Sequence, residues 1–271
     1  MPKITLNGAN LHYEDTGSGR EAIVFAHGLL WSGRMFQSQV AALKGRYRCV
    51  AFDFRGQGES DVPASGYDMD TLADDATELI RSLRIAPCHF LGLSMGGFVG
   101  MRLAARRPEL IKSLMLLETS ADAEPAENVP RYKLLSLIAR WLSLRVVAGR
   151  VMTIMFGQKF LSDPAREAER EELRRRLFAN NRAGIYRATR GVIIRNGVYD
   201  EIAAIRAPTL IIVGDQDIAT PPEKARRIHE RITNSRLVII PGAGHTSTME
   251  EPAAVTAAIE EFLAGIDKTH E

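Results

Sequence analysis

Strand-like and helix-like segments alternate along most of this 271-residue chain. Short apolar runs predict strands, and apolar residues at helical spacing predict amphipathic helices. The predicted strands are 3–6, 11–15, 22–26, 47–52, 90–91, 114–117, 209–213 and 237–240, and the predicted helices are 34–43, 68–84, 95–106, 222–232 and 252–264. This alternation predicts an α/β fold, with a mostly parallel central sheet flanked by helices.

The alternation stops between residues 121 and 200, where the patterns are helical and no strand is predicted. We therefore expect a catalytic domain made of residues 1–120 and 201–271, with residues 121–200 inserted as a helical cap. The inserted segment holds 15 Lys and Arg against 9 Asp and Glu, a net charge of +6, whereas the remainder has a net charge of −4. A solvated helix surface is the favoured explanation of this charge, and contact with an anionic substrate is the alternative.

Composition excludes several classes of protein. With 45% hydrophobic residues and a net charge of +2, the chain is not expected to be disordered. Charged residues interrupt every apolar run before the ~18 residues of a membrane span, and no export signal precedes the first strand, so a cytoplasmic protein is predicted. Cys49 and Cys88 both lie in apolar runs and are expected to pack rather than react. The pI of 8.6 is too mild to indicate nucleic-acid binding.

The strongest local motif is Gly92-Leu93-Ser94-Met95-Gly96. A G-x-S-x-G pattern alone is weak, since a chain of this composition contains one by chance about one time in ten. Here, however, it follows a predicted strand and opens a predicted helix, which is the setting of a nucleophile elbow. The flanking glycines suit a tight turn that leaves no room for side chains. Ser94 is therefore the predicted nucleophile.

A serine hydroxyl needs a base, and the base needs a carboxylate that orients it. His245 is the predicted base, because it lies in a glycine-rich loop directly after the strand 237–240. Asp217 is the preferred acid, because the turn after the strand 209–213 carries it further over the sheet edge than Asp215. Glu118, at the end of the strand 114–117, is a second alternative. The order Ser94, Asp217, His245 is that of α/β-hydrolases.

An oxyanion hole requires two backbone N–H donors. Met95, directly after the nucleophile, should supply one, and Leu29 in the loop after the strand 22–26 should supply the other, with Leu30 as the second choice. Leu30 and Trp31 are predicted to line the substrate pocket. His27 is expected to anchor this loop through hydrogen bonds rather than act as a base.

Five segments together make the chain resemble α/β-hydrolases over nearly its whole length. They are His27-Gly28, Asp53–Ser60, Gly92–Gly97, Gly214–Asp217 and Gly244-His245. Within that fold the chain is similar to bacterial esterases and to the 3-oxoadipate enol-lactonase-like group, although Gln57 replaces a histidine that is frequent there. Relatives that open epoxides or displace halide carry aspartate at the elbow, so Ser94 argues against both reactions.

The resemblance implies hydrolysis of a carboxylic ester or lactone through an acyl-enzyme, with no metal and no organic cofactor. The expected partner is a small-molecule substrate, with neither nucleic acid nor membrane, and the oligomeric state stays open. One alternative is a carbon–carbon bond hydrolase acting on a vinylogous diketone, for which Arg140, Arg187 and Arg190 are candidate carboxylate ligands. Another is a ligand receptor that retains the triad.

Overall fold

A computed structural model describes residues 2–268, and within them eight strands form one sheet. The strands are β1 (Lys3–Leu6), β2 (Ala9–Asp15), β3 (Ala22–Ala26), β4 (Arg48–Phe52), β5 (Cys88–Leu93), β6 (Ile111–Leu117), β7 (Thr209–Gly214) and β8 (Ser235–Ile240). Their order across the sheet is β1-β2-β4-β3-β5-β6-β7-β8. The first two strands are antiparallel to their neighbours, and the other six run parallel. The predicted mostly parallel sheet is confirmed.

The helices flank the sheet and also fill the chain between β6 and β7. They are α1 (Gln37–Leu43), α2 (Met69–Ser82), α3 (Met95–Arg106), α4 (Val129–Trp141), α5 (Leu144–Met155), α6 (Gln158–Ser162), α7 (Glu167–Ala179), α8 (Arg182–Ile193), α9 (Pro222–Arg231), α10 (Ser247–Glu250) and α11 (Pro252–Lys268). None of the described helices combines the length and the apolar composition that a bilayer crossing requires.

Each face of the sheet buries its own apolar cluster. In β3, Val24 and Ala26 pack with residues of α2 and α3, whereas Ile23 and Phe25 pack on the opposite face with residues of α1 and α11. This division follows from the period of two along a strand. It also explains why β3 is apolar throughout, since both of its faces are covered.

Four strands, β2, β5, β6 and β8, begin two or three residues earlier than their sequence patterns predict, and β5 and β6 show why. β5 begins at Cys88 rather than at 90, and β6 begins at Ile111 rather than at 114. Polar residues interrupt the apolar runs at these starts, but they are paired: His89 Nδ1 lies 2.7 Å from the Ser113 hydroxyl across the two strands. A buried polar residue with a partner is compatible with a central strand, so the apolar pattern understated both lengths.

The segment between β6 and β7 has a small apolar cluster of its own. Helices α4, α5, α7 and α8 contribute to it, and Leu30 of the loop after β3 joins it. Several large apolar side chains of α4, α5 and the turn between them remain exposed, namely Leu134, Leu137, Trp141, Leu142 and Val146. No strand occurs between residues 121 and 200, all of which the structure describes. The predicted boundaries of the cap remain a prediction.

Candidate active site

Ser94 lies on the sharp turn between β5 and α3. Its backbone has φ of 52° and ψ of −110°, a conformation that a residue with a side chain rarely adopts. A Cβ at Gly92 would collide with the carbonyl of Gly96, and one at Gly96 would collide with the carbonyl of Ala26. The two glycines therefore let the turn close, and this explains the glycine spacing of the motif.

The three residues predicted to act together meet at the carboxyl edge of the sheet. Ser94 Oγ is 2.9 Å from His245 Nε2, and His245 Nδ1 is 2.8 Å from Asp217 Oδ2. All three side chains are largely buried, with residue exposures of 9%, 4% and 3% for Ser94, His245 and Asp217. In this arrangement the imidazole can accept the serine proton at Nε2 while the carboxylate holds Nδ1–H.

Asp217 is held by its own turn. Its Oδ1 accepts hydrogen bonds from the amides of Ala219 and Thr220, at 2.8 and 3.0 Å, and its Oδ2 accepts one from the Thr220 hydroxyl at 2.8 Å. Asp215 is more exposed and accepts instead from the amide of Gly242 at 2.7 Å. Asp217, not Asp215, therefore faces the histidine. Thr220 was missed by sequence reasoning, although an Asp followed by Thr three residues later is a local hydrogen-bonding pattern.

Glu118 directly follows β6, has a φ of 42° and is fully buried. Neither carboxylate oxygen has a hydrogen bond of good geometry among residues 2–268, although the Ser247 hydroxyl and the Gly214 backbone lie near enough to oppose part of the rise in its pKa. Burial raises the pKa of Glu118 well above its usual value, and the nearby charges of Asp217 and Glu250 raise it further. These influences favour the neutral form of the carboxyl group, so Glu118 is less suited than Asp217 to stabilise an imidazolium.

Glu250 fixes the loop that carries His245. Its carboxylate accepts hydrogen bonds from the amides of Gly244 at 3.0 Å and Thr246 at 3.1 Å, and from the amide of Gly157 at 2.7 Å. Burial raises the pKa of Glu250, and these backbone donors oppose that rise. No local sequence pattern distinguishes this glutamate from its neighbours, so its role could be found only from the coordinates.

The loop after β3 is anchored as expected by His27. Its Nδ1 donates to the Gly28 carbonyl at 2.7 Å, and its Nε2 accepts from the Phe54 amide at 2.9 Å. Burial lowers the pKa of His27, which keeps the ring neutral and suits this tautomer. Both ring nitrogens are occupied, so His27 is not available as a base.

Gln57 binds one of the backbone amides in the loop after β3 and leaves its neighbour unoccupied. Its Oε1 accepts the amide of Leu30 at 2.8 Å, while Leu30 adopts a φ of 76°. The amides of Leu29 and Met95, in contrast, have no partner in the described part of the chain. The two unoccupied amides are the ones predicted to form an oxyanion hole, and Leu30, the second choice, is already engaged.

Ser94 and His245 open into a cavity of about 130 Å³. Its walls come from the loop after β3, α3, the loop after β7 and the segment between β6 and β7. The apolar lining residues are Leu29, Leu30, Phe98, Leu135, Ala139, Leu144, Val147, Val151, Ile154, Met155, Ile185, Val192, Ile193 and Ala219. Such a lining suits an apolar substrate group.

Trp31 does not line this cavity, contrary to the sequence prediction. It is 5% exposed and packs edge-on against Phe156, with ring centroids 6.0 Å apart. Leu30, which adopts a positive φ, does line the cavity. Trp31 therefore belongs to the packing between this loop and the segment after α5.

The basic charge of residues 121–200 lies mainly on the outside. On α7, Arg174 and Arg175 pair with Glu171 and Glu172 at 3.3 and 2.9 Å, and these side chains are exposed. Arg187 donates to the Pro63 carbonyl at 2.9 Å, and neither it nor Arg140 or Arg190 lines the cavity. The arginine that does line it is Arg195, which sequence reasoning missed.

The sequence profile of the alpha/beta hydrolase fold matches residues 21–252. This chain belongs to the α/β-hydrolase family. A protein of Mycobacterium tuberculosis that carries the name non-heme bromoperoxidase BpoC is 30% identical over 95% of this chain and 98% of its own. The enol-lactonase of Burkholderia xenovorans LB400 superposes with a TM-score of 0.90 at 28% identity, over 97% of this chain and 100% of its own.

A thermophilic esterase from Thermogutta terrifontis, solved with malate bound, also superposes with a TM-score of 0.90. It is 28% identical, and the match covers 98% of both chains. The resemblance to the enol-lactonase group and the expected fold are thus confirmed, and a hydrolase is supported. The names of these relatives cover several reactions, so the substrate has to be argued from the site.

Proposed function

We propose that this protein is a serine hydrolase that cleaves carboxylic esters or lactones through an acyl-enzyme. The observation that carries the proposal is the chain of contacts from Ser94 Oγ to His245 Nε2 at 2.9 Å and from His245 Nδ1 to Asp217 Oδ2 at 2.8 Å. These contacts lie beside two unoccupied amides and an apolar cavity. That combination supplies a nucleophile, a base, an oxyanion site and a binding site for an acyl group.

In the acylation step, His245 accepts the hydroxyl proton as Ser94 Oγ attacks the carbonyl carbon. The carbonyl oxygen becomes an oxyanion, which the amides of Leu29 and Met95 stabilise. Collapse of this intermediate breaks the bond to the alcohol, and His245 returns the proton to the leaving oxygen. Asp217 stays ionised and stabilises the imidazolium in between.

In the deacylation step, His245 takes a proton from water, and the resulting hydroxide attacks the acyl carbon. The second oxyanion occupies the same pair of amides, and its collapse returns the proton to Ser94. A lactone follows the same two steps, and its alcohol stays attached to the released acid. The alkoxide of an ester or lactone is a poor leaving group, so the proton that His245 delivers to the leaving oxygen is essential to the step.

The enol-lactonase and the esterase that superpose on this chain support the ester or lactone class. The carbon–carbon bond hydrolase is less well supported, because the arginines considered for its substrate carboxylate do not line the cavity among the described residues. The receptor alternative differs in turnover. Repeated release of acid and alcohol would contradict it.

The direct test is hydrolysis of simple ethyl and p-nitrophenyl esters by the wild-type protein and by Ser94→Ala. We expect multiple turnovers for the wild type and a fall in kcat of about 10⁴-fold or more for the variant, because the remaining groups cannot form the acyl-enzyme. The melting temperature of the variant should stay within a few degrees. Full activity without the hydroxyl would overturn the proposal.

A further inference from the structure

A buried ion pair lines the same cavity as Ser94. Glu124 lies between β6 and α4, Arg195 lies just after α8, and both contribute to the cavity wall. Glu124 Oε2 accepts a hydrogen bond from Arg195 Nη1 at 2.7 Å. The two side chains are 8% and 3% exposed, so the pair is largely shielded from water.

The pair is held near the nucleophile by α3. The guanidinium of Arg195 lies over the ring of Phe98, 4.2 Å from its centroid. The amide of Phe98 in turn donates to the carbonyl of Ser94 at 3.0 Å, which places Phe98 one helical turn after the nucleophile. A group that extends from the reacting carbonyl along this side of the cavity therefore approaches the ion pair.

The charge of Arg195 is already neutralised by Glu124. The glutamate is fixed from its other side as well, since Asn128 donates to its Oε1 at 3.1 Å. A substrate carboxylate that sought the guanidinium would have to come close to the glutamate. Repulsion between like charges is strong in an enclosure with apolar walls, because water does not screen it there.

We propose that Glu124 is a specificity-determining residue, which makes this cavity accept uncharged esters and reject esters that carry a carboxylate. This inference rests on the proposed function and adds the class of substrate to it. It assigns a role to an acid that takes no part in the chemical steps. It also argues against the alternative that the positive charge of residues 121–200 serves an anionic substrate, since the arginine inside is compensated.

The test compares three ethyl esters of similar length in a pH-stat at neutral pH. They are ethyl pentanoate, ethyl levulinate and monoethyl succinate. Ethyl levulinate ends in a methyl ketone. Monoethyl succinate has a negatively charged carboxylate oxygen in place of that methyl group. We expect kcat/KM of the wild type for monoethyl succinate to be lower than for ethyl levulinate by about 100-fold, as like-charge juxtaposition predicts.

The variant Glu124→Gln keeps the shape of the side chain and removes its charge. Arg195 Nε has no hydrogen-bond partner in the described part of the chain, so the arginine has a donor available to a carboxylate. We expect the ratio of kcat/KM for monoethyl succinate to that for ethyl levulinate to rise about tenfold or more. The double variant Glu124→Gln with Arg195→Gln should lose this gain.

Asp122→Asn is the matched control. Asp122 precedes Glu124 by two residues, pairs with Lys224 at 2.8 Å and does not belong to the described lining of the cavity. The ratio of kcat/KM for monoethyl succinate to that for ethyl levulinate should be the same in Asp122→Asn as in the wild type. A change as large as that of Glu124→Gln would mean that general charge, not the buried pair, governs the selectivity.

The comparison in the wild type needs no variant to fold, so it can overturn the proposal by itself, whereas the rise in Glu124→Gln is what assigns the selectivity to this residue. Comparable kcat/KM values for ethyl levulinate and monoethyl succinate would overturn the inference and leave the proposed function intact. Failure to hydrolyse ethyl pentanoate, ethyl levulinate and p-nitrophenyl esters alike would instead overturn the proposed function, and the inference with it.

Discussion

The loops at the carboxyl edge of the sheet and the helices between β6 and β7 line the same cavity in different ways. In the loops, polar groups are fixed by several hydrogen bonds each, as Asp217 is by the amides of Ala219 and Thr220. In the helices, mostly apolar side chains face the cavity, and large apolar side chains such as Trp141 and Leu142 also face outward, with exposures of 73% and 64%.

The two regions have different proposed roles, since the loops would carry out proton transfer and the helices would bind the acyl group. Proton transfer needs atoms at fixed distances, so the residues proposed for the chemistry lie where backbone donors determine their positions. Binding an acyl group needs volume and an apolar surface, which many combinations of side chains can supply. The two regions are joined by contacts such as the hydrogen bond from the Gly157 amide to Glu250. Substitutions in the two regions should accordingly have different consequences.

The largest contrast is expected between two acids in one loop. Asp217→Asn should lower kcat by about 10⁴-fold, because an amide cannot hold the imidazole tautomer or stabilise its positive charge. Asp215→Asn changes a carboxylate that faces away from His245, and it should cost less than about threefold. Ester hydrolysis under saturating substrate measures both values. A greater loss in Asp215→Asn would show that the assignment of the two acids is reversed.

The next contrast is between the same substitution in the sheet and in the helical segment. Leu91→Ala removes a fully buried side chain from β5 and should lower the free energy of unfolding by about 2–5 kcal/mol. Leu142→Ala follows α4 and should change it by less than about 0.5 kcal/mol. Denaturant titration monitored by circular dichroism gives both values. Equal losses of unfolding free energy in the two variants would mean that Leu142 is buried in solution.

A smaller effect is expected from the buried acid beside the site. The pKa of Glu118 is raised in the folded state, so its contribution to stability is complete below the unfolded pKa and is lost as the pH rises toward the folded pKa. Glu118→Gln cannot ionise. Relative to this variant, the wild type should lose up to about 1.4 kcal/mol of unfolding free energy per pH unit above the unfolded pKa.

Unfolding free energies of both proteins between acid and mildly alkaline pH measure this difference. The variant Glu109→Gln, a change on the short turn before β6, is the control for a carboxyl group that is exposed. A difference between wild type and Glu118→Gln that stays constant with pH would contradict a neutral Glu118.

The sequence predicted the sheet and the elements around Ser94 because each depends on local signals. Apolar runs, glycines at a tight turn and a histidine in a glycine-rich loop are readable without coordinates. The longer extents of β5 and β6 were not predicted, because His89 and Ser113 satisfy each other across the sheet. Such pairing joins residues distant in the chain and leaves no local pattern.

The same reason explains what sequence reasoning missed in the site. Glu250 binds Gly157, and Glu124 binds Arg195, across separations of 93 and 71 residues. Trp31 was misplaced because its position in the loop after β3 does not show where its ring packs, and in the structure the ring lies against Phe156. Long-range polar contacts and single backbone reversals are set by the whole fold, not by neighbouring residues.

The central claim is that the hydroxyl of Ser94 is the nucleophile that becomes acylated. The most direct measurement is mass spectrometry of the protein after reaction with a fluorophosphonate, which forms a stable phosphonyl ester with an activated serine. The account predicts one adduct per chain, on the peptide that contains Ser94, with loss of esterase activity in step with labelling and no adduct in Ser94→Ala. An adduct on another residue, or full activity after Ser94 is labelled, would contradict it.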